Sequence, residues 1–299
     1  MKVFYADTVP LSLPEGHRFP ASKYPQLRQK VFASGLFSPD ELVEAQPASR
    51  EQLLLVHTPE YVEKVFTGGL SDREQRRIGL PWSPELVDRS RRAVGGAIAA
   101  CCCAIEEGCG VYLGGGTHHA YPDHGEGYCV FNDIAVAVRV LQEENRAMQI
   151  AIVDCDVHQG NGTAFIFSDA PDVFTFSVHG EKNFPFHKEK SSLDIALPDG
   201  SGDAAFLQAV EQGLSAVFAH SAARLAIYIA GADPFSGDRL GRLGMSKDGL
   251  KQRDELVFQR CQDARLPVAV VMGGGYAKNI EDVVDIHMQT VSLANRYFA

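Results

Sequence analysis

Apolar residues occur along the chain in two patterns, short unbroken runs and longer stripes of helical period. The unbroken runs predict buried strands, because a parallel sheet covered on both faces needs apolar side chains on each face of its strands. The stripes, which are longer, predict helices. The predicted strands are residues 2–5, 53–57, 110–113, 151–155, 173–178, 225–230 and 268–272. The predicted long helices are residues 84–107, 132–144, 204–219, 247–264 and 280–297.

Local signals refine this pattern. Ser38-Pro39 and Thr58-Pro59 each predict a helix start, with the hydroxyl residue as cap and proline at the first helical position. The polar residues 68–84 predict a loop. Strands that alternate with helices indicate a parallel sheet flanked by helices on both faces, and no linker or repeat divides the chain. We therefore predict a single α/β domain over residues 1–299.

Composition narrows the class of protein. The chain has 299 residues and a formal net charge of −10. That charge argues against binding nucleic acid, although an acidic surface would attract a cationic substrate.

The cysteines and the N-terminus indicate the cellular compartment. Seven cysteines show no zinc-ribbon spacing, and the free thiols this implies are typical of a reducing compartment. The N-terminus lacks the apolar core of a signal peptide, and the longest apolar run, residues 93–105, is too short to span a bilayer. We expect a cytoplasmic enzyme without a membrane anchor or direct nucleic-acid partner.

The most informative stretch is residues 150–163, IAIVDCDVHQGNGT. Side chains alternate faces along a strand, so Asp154, Asp156 and His158 point the same way. Burying two acids and a histidine together is costly unless a cation compensates them. The alternative is a strand end whose acids face solvent.

Three further turns after predicted strands carry reactive side chains. They are GGGTHH at residues 114–119, GAD at residues 231–233 and GGGY at residues 273–276. Each could be only a tight turn, a surface histidine pair, a helix cap or a packed aromatic. The carboxyl ends of parallel strands, however, share one edge of the sheet, where such folds place their sites. The coincidence of four such turns favours convergence on one site.

The residue types at these turns suggest a metal centre. Asp156, His158 and Asp233 form an oxygen and nitrogen ligand set without thiolates. Three protein ligands leave a coordination position open, which is typical of catalytic rather than structural zinc. Zinc is the first expectation, and ferrous iron tolerates the same ligands.

The neighbouring side chains suggest acyl-transfer chemistry. His118 and His119 can supply a base and an acid, and Tyr276 can donate a hydrogen bond to a developing oxyanion. Asp154 is expected to hold His118 by a hydrogen bond and to fix its tautomer. Together these groups indicate metal-assisted attack of water on an amide or similar acyl carbon.

The ordered segments GGGTHHA, GYCVFND, DCDVHQGNGT, GAD and GGGY resemble the successive signatures of the zinc-dependent histone deacetylase family. That family also contains acetylpolyamine amidohydrolases and acetoin-utilisation proteins. The resemblance covers nearly the whole chain. Residues 17–28 and 237–258 are most similar to the class IV, deacetylase-11-like branch.

The resemblance implies an arginase/deacetylase fold with a central eight-stranded parallel sheet. It implies zinc on Asp156, His158 and Asp233, with His118, His119 and Tyr276 as catalytic groups. The implied walls of a narrow substrate tunnel are Gly127, Tyr128, Phe184, Leu240 and Gly274. A structural potassium ion is also implied, held by backbone oxygens of Asp154, Asp156, His158 and Val178 and by the Ser177 hydroxyl.

Some positions depart from the family pattern. Asn161 stands where class I members have Asp, and its amide would orient His119 without adding charge. Pro234 directly follows Asp233, which is unusual, and residues 78–82 lack the acid with which class I members grip a substrate backbone. The chain also lacks the acid two residues after His158 that a dimetal arginase would need.

The resemblance and its departures together set the expected function. We expect removal of acyl groups from N-ε-acyl-lysine. The alternatives are an acetylpolyamine or other small acylamine amidohydrolase, and an inactive scaffold that binds acyl-lysine.

Overall fold

The computed structural model describes residues 1–220 and 222–299. Within these residues, eight strands form one sheet, and each pair of neighbouring strands is parallel. The spatial order is β2-β1-β3-β8-β7-β4-β5-β6. The strands are β1 Lys2–Tyr5, β2 Leu42–Glu44, β3 Cys109–Tyr112, β4 Ile150–Asp154, β5 Val173–Gly180, β6 Leu193–Leu197, β7 Leu225–Ile229 and β8 Val268–Val271.

Helices cover both faces of this sheet. They are α1 Lys23–Ala33, α2 Arg50–Leu54, α3 Pro59–Thr67, α4 Asp72–Ile78, α5 Pro84–Glu107, α6 Asp133–Glu143, α7 Asn161–Ile166, α8 Asp203–His220, α9 Lys247–Asp263 and α10 Ile280–Phe298. Within β4, Ala151 and Val153 pack on the side of α8, α9 and α10, whereas Ile150 and Ile152 pack on the side of α5 and α6. The central strands are therefore buried on both faces, which explains why their sequences are unbroken apolar runs.

The predicted fold class, a single-domain α/β fold with an eight-stranded parallel sheet, is confirmed. Several local predictions are wrong. Residues 53–57 are not a strand but the end of α2 and the turn after it, and the start of α2 is fixed by a capping box between Ser49 and Gln52. The helix predicted at Pro39 is a single 3-10 turn that leads into β2. The predicted loop 68–84 contains α4, capped by Ser71.

The two edge strands β2 and β6 were absent from the pattern-based prediction. β2 has three residues, all half-buried, and β6 has one fully buried residue among five. Such short, half-exposed segments carry little of the apolar signal that marks a central strand. None of the described helices combines the length with the apolar character that a bilayer span requires.

Candidate metal centre and active site

The four reactive turns follow β3, β4, β7 and β8, which are adjacent in the sheet order β3-β8-β7-β4. All four turns therefore lie at one edge, as the sequence predicts. Asp156 and Asp233 are 77 residues apart in the sequence, but their turns lie side by side because β4 and β7 pair directly.

Asp156, His158 and Asp233 form a compact buried cluster. Their ligand atoms all lie within 4.8 Å of one another. His158 Nδ1 is 3.0 Å from Asp156 Oδ1 and 3.2 Å from Asp233 Oδ2. The second carboxylate oxygens are fixed by backbone amides, since Gly274 N donates to Asp156 Oδ2 at 2.6 Å and Val157 N donates to Asp233 Oδ1 at 2.9 Å. One face of the cluster is therefore rigidly supported.

The residues of this cluster fit a divalent cation. Asp233 Oδ2 is buried and accepts no hydrogen bond from any described residue. Burial and the neighbouring Asp156 carboxylate raise the pKa of Asp233 to about 7. Burial alone would lower the pKa of His158, but the two carboxylates raise it to about 10. A cation bound between the three groups would remove the repulsion between the carboxylates and complete the coordination of that oxygen.

His118 and His119 lie beside this cluster with their Nε2 atoms 3.2 Å apart. His118 Nδ1 is 2.7 Å from Asp154 Oδ2. Although burial opposes it, the Asp154 carboxylate raises the pKa of His118 to about 9. Burial and the adjacent His118 and His158 hold the pKa of His119 well below its usual value. The pair is therefore asymmetric, with the proton favoured on the ring that faces a carboxylate.

His119 is oriented by a different partner. Its Nδ1 is 2.6 Å from Asn161 Oδ1, and Asn161 Nδ2 is 2.6 Å from Glu126 Oε1. The other oxygen of Glu126 accepts from Arg77 Nε at 2.9 Å. Sequence reasoning included Asn161 but missed Glu126, because nothing in the local pattern GEGY marks the glutamate as buried.

Tyr276 is held through its backbone. Its N–H donates to Asp238 Oδ2 at 2.6 Å, and its carbonyl accepts from Arg239 Nε at 2.9 Å. Burial and the Asp233 charge raise the pKa of the Tyr276 hydroxyl well above its usual value. The phenol therefore stays protonated and available as a hydrogen-bond donor.

The loop that carries the tandem histidines is tied to the start of α6. Asp133 is fully buried and accepts from Gly116 N at 2.9 Å and from Thr117 N at 2.8 Å. Asn132 caps α6 and also donates to the Ala120 carbonyl at 3.1 Å. The segment GYCVFND therefore contributes to the site by fixing the backbone on both sides of the histidines, a role that the sequence alone did not reveal.

Arg253, on α9, supports the site from inside the fold. It is fully buried, pairs with Asp254 at 2.8 Å and donates to the Gly231 carbonyl at 2.5 Å. Asp254 in turn accepts from Tyr228 and Thr290 at 2.5 and 2.6 Å. Because Gly231 precedes Asp233 by two residues, this network anchors the turn that carries one candidate ligand. Nothing in the sequence pattern distinguished Arg253 from a surface residue of its helix.

The predicted tunnel residues lie around the approach to this cluster. Gly127, Tyr128, Phe184 and Leu240 line a cleft of about 560 Å³ that reaches His119, His158 and Tyr276. The Phe184 ring is 4.9 Å from the His119 ring at 84°, and the Tyr128 ring is 5.9 Å from the Tyr276 ring. Gly274 lines a second cavity, of about 90 Å³, that is also lined by Asp156, His158 and Asp233.

The residues proposed for potassium lie at the end of β4, in the turn after it and in the second half of β5. Asp154 and Ser177 are register partners on these two strands, with Val178 next in β5. The Ser177 hydroxyl is 2.9 Å from His179 Nδ1. The three-residue ligand cluster is the sole group of this kind found in the described residues, and the potassium site stays a prediction.

Comparison with known proteins identifies the family of this chain. The histone deacetylase domain model matches residues 17–291, and the chain belongs to that family. It is 46% identical over 285 residues to an uncharacterised protein of Picosynechococcus, with 95% of each chain covered. It is 28% identical to histone deacetylase 2 of Arabidopsis thaliana, over 92% of this chain and 74% of that protein. A histone deacetylase-like amidohydrolase of Pseudomonas aeruginosa is 29% identical, over 88% and 73% of the two chains.

Solved structures support the fold. A histone deacetylase homologue in complex with SAHA and one from Aquifex aeolicus each superpose with a TM-score of 0.85 at 23% identity, covering 99% of this chain and 84% of the other. The matches identify the family without assigning a branch, so the class IV assignment stays a prediction.

Proposed function

We propose that this protein is a metal-dependent amidohydrolase that removes acyl groups from N-ε-acyl-lysine. The observation that carries the proposal is the joint position of three buried candidate ligands and the tandem histidines at one edge of the sheet. Membership of the histone deacetylase family supports the proposal, because the relatives of this chain include a histone deacetylase and a histone deacetylase-like amidohydrolase. Seven free thiols support a cytoplasmic, reducing location.

We assign Asp156, His158 and Asp233 to hold zinc, or ferrous iron, which accepts the same ligands. A divalent cation there supplies the positive charge that polarises an acyl carbonyl and acidifies water. We assign the proton transfers to the tandem histidines. One imidazole of the His118–His119 pair accepts a proton as the oxygen of water bonds to the acyl carbon. The other donates a proton to the amine nitrogen as the carbon–nitrogen bond breaks.

Tyr276 and the tunnel complete this assignment. The protonated Tyr276 hydroxyl donates a hydrogen bond to the acyl oxygen as negative charge develops on it. Phe184 and Tyr128 form apolar walls that suit the methylene chain of lysine. Structural potassium beside the end of β4 and the second half of β5 would help to hold the Asp154–His158 turn.

The test is a substrate panel with the zinc-loaded and the anaerobically iron-loaded protein. Acetyl-lysine peptides, long-acyl-lysine peptides and acetylated polyamines are compared by release of free amine. We expect turnover of an acyl-lysine peptide that a chelator abolishes and that Tyr276→Phe lowers by about 10²–10³-fold. Preferred turnover of acetylpolyamines would select the small-acylamine alternative. No turnover of any substrate by metal-loaded protein would select the inactive scaffold.

A further inference from the structure

The mouth of the substrate cleft is cationic in a protein of opposite overall charge. Among the described residues, Lys182, Arg239 and Arg242 line the cleft near its opening, and no aspartate or glutamate does. Lys182 and both arginines are exposed. Arg18 joins Arg239 in a smaller adjoining concavity of about 250 Å³. The chain has 38 acidic and 28 basic residues, so a cleft opening whose charged lining residues are all basic runs against its composition.

These cations are also poorly paired. In this acidic chain many surface bases pair closely, as Arg260 does with Glu211 at 2.7 Å. Within the described residues, by contrast, Lys182, Arg18 and Arg239 form no ion pair. The Arg239 Nε donates to the Tyr276 carbonyl, and in the part of the chain that the structure describes the outer guanidinium nitrogens of Arg239 have no protein partner. Arg242 has one loose contact, with Asp199 at 3.4 Å.

The loop that carries Lys182 is held in place. Lys188 Nζ donates to the carbonyls of Asn183 and Pro185 at 2.6 Å each, and Asn183 Nδ2 donates to the Leu240 carbonyl at 2.8 Å. These bonds join the two segments that bear the cations. Phe186, on the same loop, is 84% exposed and offers an apolar surface beside them. The mouth is therefore a supported concave surface with positive charge and one apolar contact.

We propose that this mouth selects substrates with a carboxylate near the α-carbon of the acyl-lysine, at the opposite end of the side chain from the acylated amine. This inference rests on the proposed function, since it concerns what lies outside the tunnel when an acyl chain occupies it. The carboxylate can come from two sources, the α-carboxylate of N-ε-acyl-lysine itself or an acidic side chain next to the acyl-lysine in a peptide. Acetylated polyamines carry further amines that are cationic, so the same mouth disfavours them.

The test compares substrates that differ only in charge. Acetyl-lysine tripeptides flanked by Asp, Asn or Lys test the side-chain source, and Nα-capped acetyl-lysine with a free or amidated α-carboxyl tests the other. We expect kcat/KM to follow carboxylate, then neutral, then cationic, with about two- to five-fold for each cation engaged. The preference should shrink as salt is raised.

Charge reversal locates the effect. Lys182→Glu and Arg242→Glu should weaken or invert the preference. The matched control is Arg224→Glu, an exposed residue at the amino end of β7, on the opposite edge of the sheet, which should leave the preference unchanged. The same peptides are titrated calorimetrically against His119→Ala, so that affinity is measured without turnover.

The outcomes separate the two proposals. Equal kcat/KM and equal affinity for acid-flanked and base-flanked peptides would overturn the mouth proposal and leave the hydrolase intact. Absence of turnover with a preserved affinity order would overturn the hydrolase and keep the mouth as a binding surface for acidic acyl-lysine peptides.

Discussion

His119 Nδ1 lies 2.6 Å from Asn161 Oδ1, and this contact fixes where the proton sits on the histidine ring. The second oxygen of Glu126 pairs with Arg77, and its first oxygen lies 2.6 Å from Asn161, which assigns the amide nitrogen of Asn161 as the atom that donates to it. The atom that faces His119 is then the amide oxygen, which requires the proton on Nδ1. The Nε2 atom of a neutral His119 is left as an acceptor toward the site.

From this relationship we predict that Asn161→Ala lowers kcat by about 10–100-fold, as loss of an orienting partner commonly does. Glu126→Ala should have a smaller effect of the same kind, because Tyr121 remains 3.2 Å from the amide. Glu126→Gln, whose carbonyl can still accept from Asn161, should recover most of the loss. Measurement of kcat with metal content held constant checks the series. Equal loss in Glu126→Gln and Glu126→Ala would show that the charge of Glu126, rather than its orientation of Asn161, is what matters.

A second prediction concerns the metal ligands. Asp156→Ala should remove zinc from the purified protein, because it deletes one of three ligands and leaves only His158 and Asp233 to hold the ion. Added zinc should raise the melting temperature of the wild-type protein by mass action and leave that of Asp156→Ala unchanged. Elemental analysis and thermal scans check this, with exposed Asp169→Ala as the control. Full zinc content in Asp156→Ala would remove it from the ligand set.

A third prediction concerns Gly274. A Cβ at this position would overlap Asp233 Oδ2 and lie 2.8 Å from Asp156 Oδ2, so the backbone can approach both ligands only because the residue is glycine. We expect Gly274→Ala to fold and to bind zinc at least tenfold more weakly, in line with losses from disturbed ligand support. Gly202→Ala is the matched control, because its nearest neighbour would be 3.7 Å away. Unchanged zinc affinity in Gly274→Ala would mean that the cluster tolerates displacement of Asp233.

The parts of the fold that were predictable are those that bury both faces. β4 and β7 are entirely buried, and their unbroken apolar runs gave both their type and the position of the site at their carboxyl ends. The run at residues 53–57 misled because an apolar stretch of that length fits either a strand or the end of a short helix. The capping box of Ser49 with Gln52 was the signal that could have decided it.

The candidate ligands could be found because their chemistry is unusual beside a buried strand. The supporting residues could not. Asp133, Glu126 and Arg253 look in sequence like ordinary polar positions, and only tertiary packing shows that each is nearly or fully buried against backbone or amide groups of the site. The cationic mouth was hidden for a related reason, since a net charge of −10 describes the whole surface and says nothing of one rim.

The last prediction concerns Arg253 and the stability of the fold. Arg253→Met leaves the Asp254 carboxylate buried with only the Tyr228 and Thr290 hydroxyls to compensate it. Loss of one partner of a buried ion pair typically costs about 3–5 kcal/mol in the free energy of unfolding. The double variant Arg253→Met with Asp254→Asn should recover part of that loss, because no uncompensated charge is buried. Arg260→Met, which breaks a half-exposed pair at the surface, should cost at most about 1 kcal/mol. Denaturant unfolding of the wild-type protein and the three variants checks this prediction. A loss in Arg253→Met no larger than that in Arg260→Met would mean that the Arg253 network contributes little to the stability of the fold.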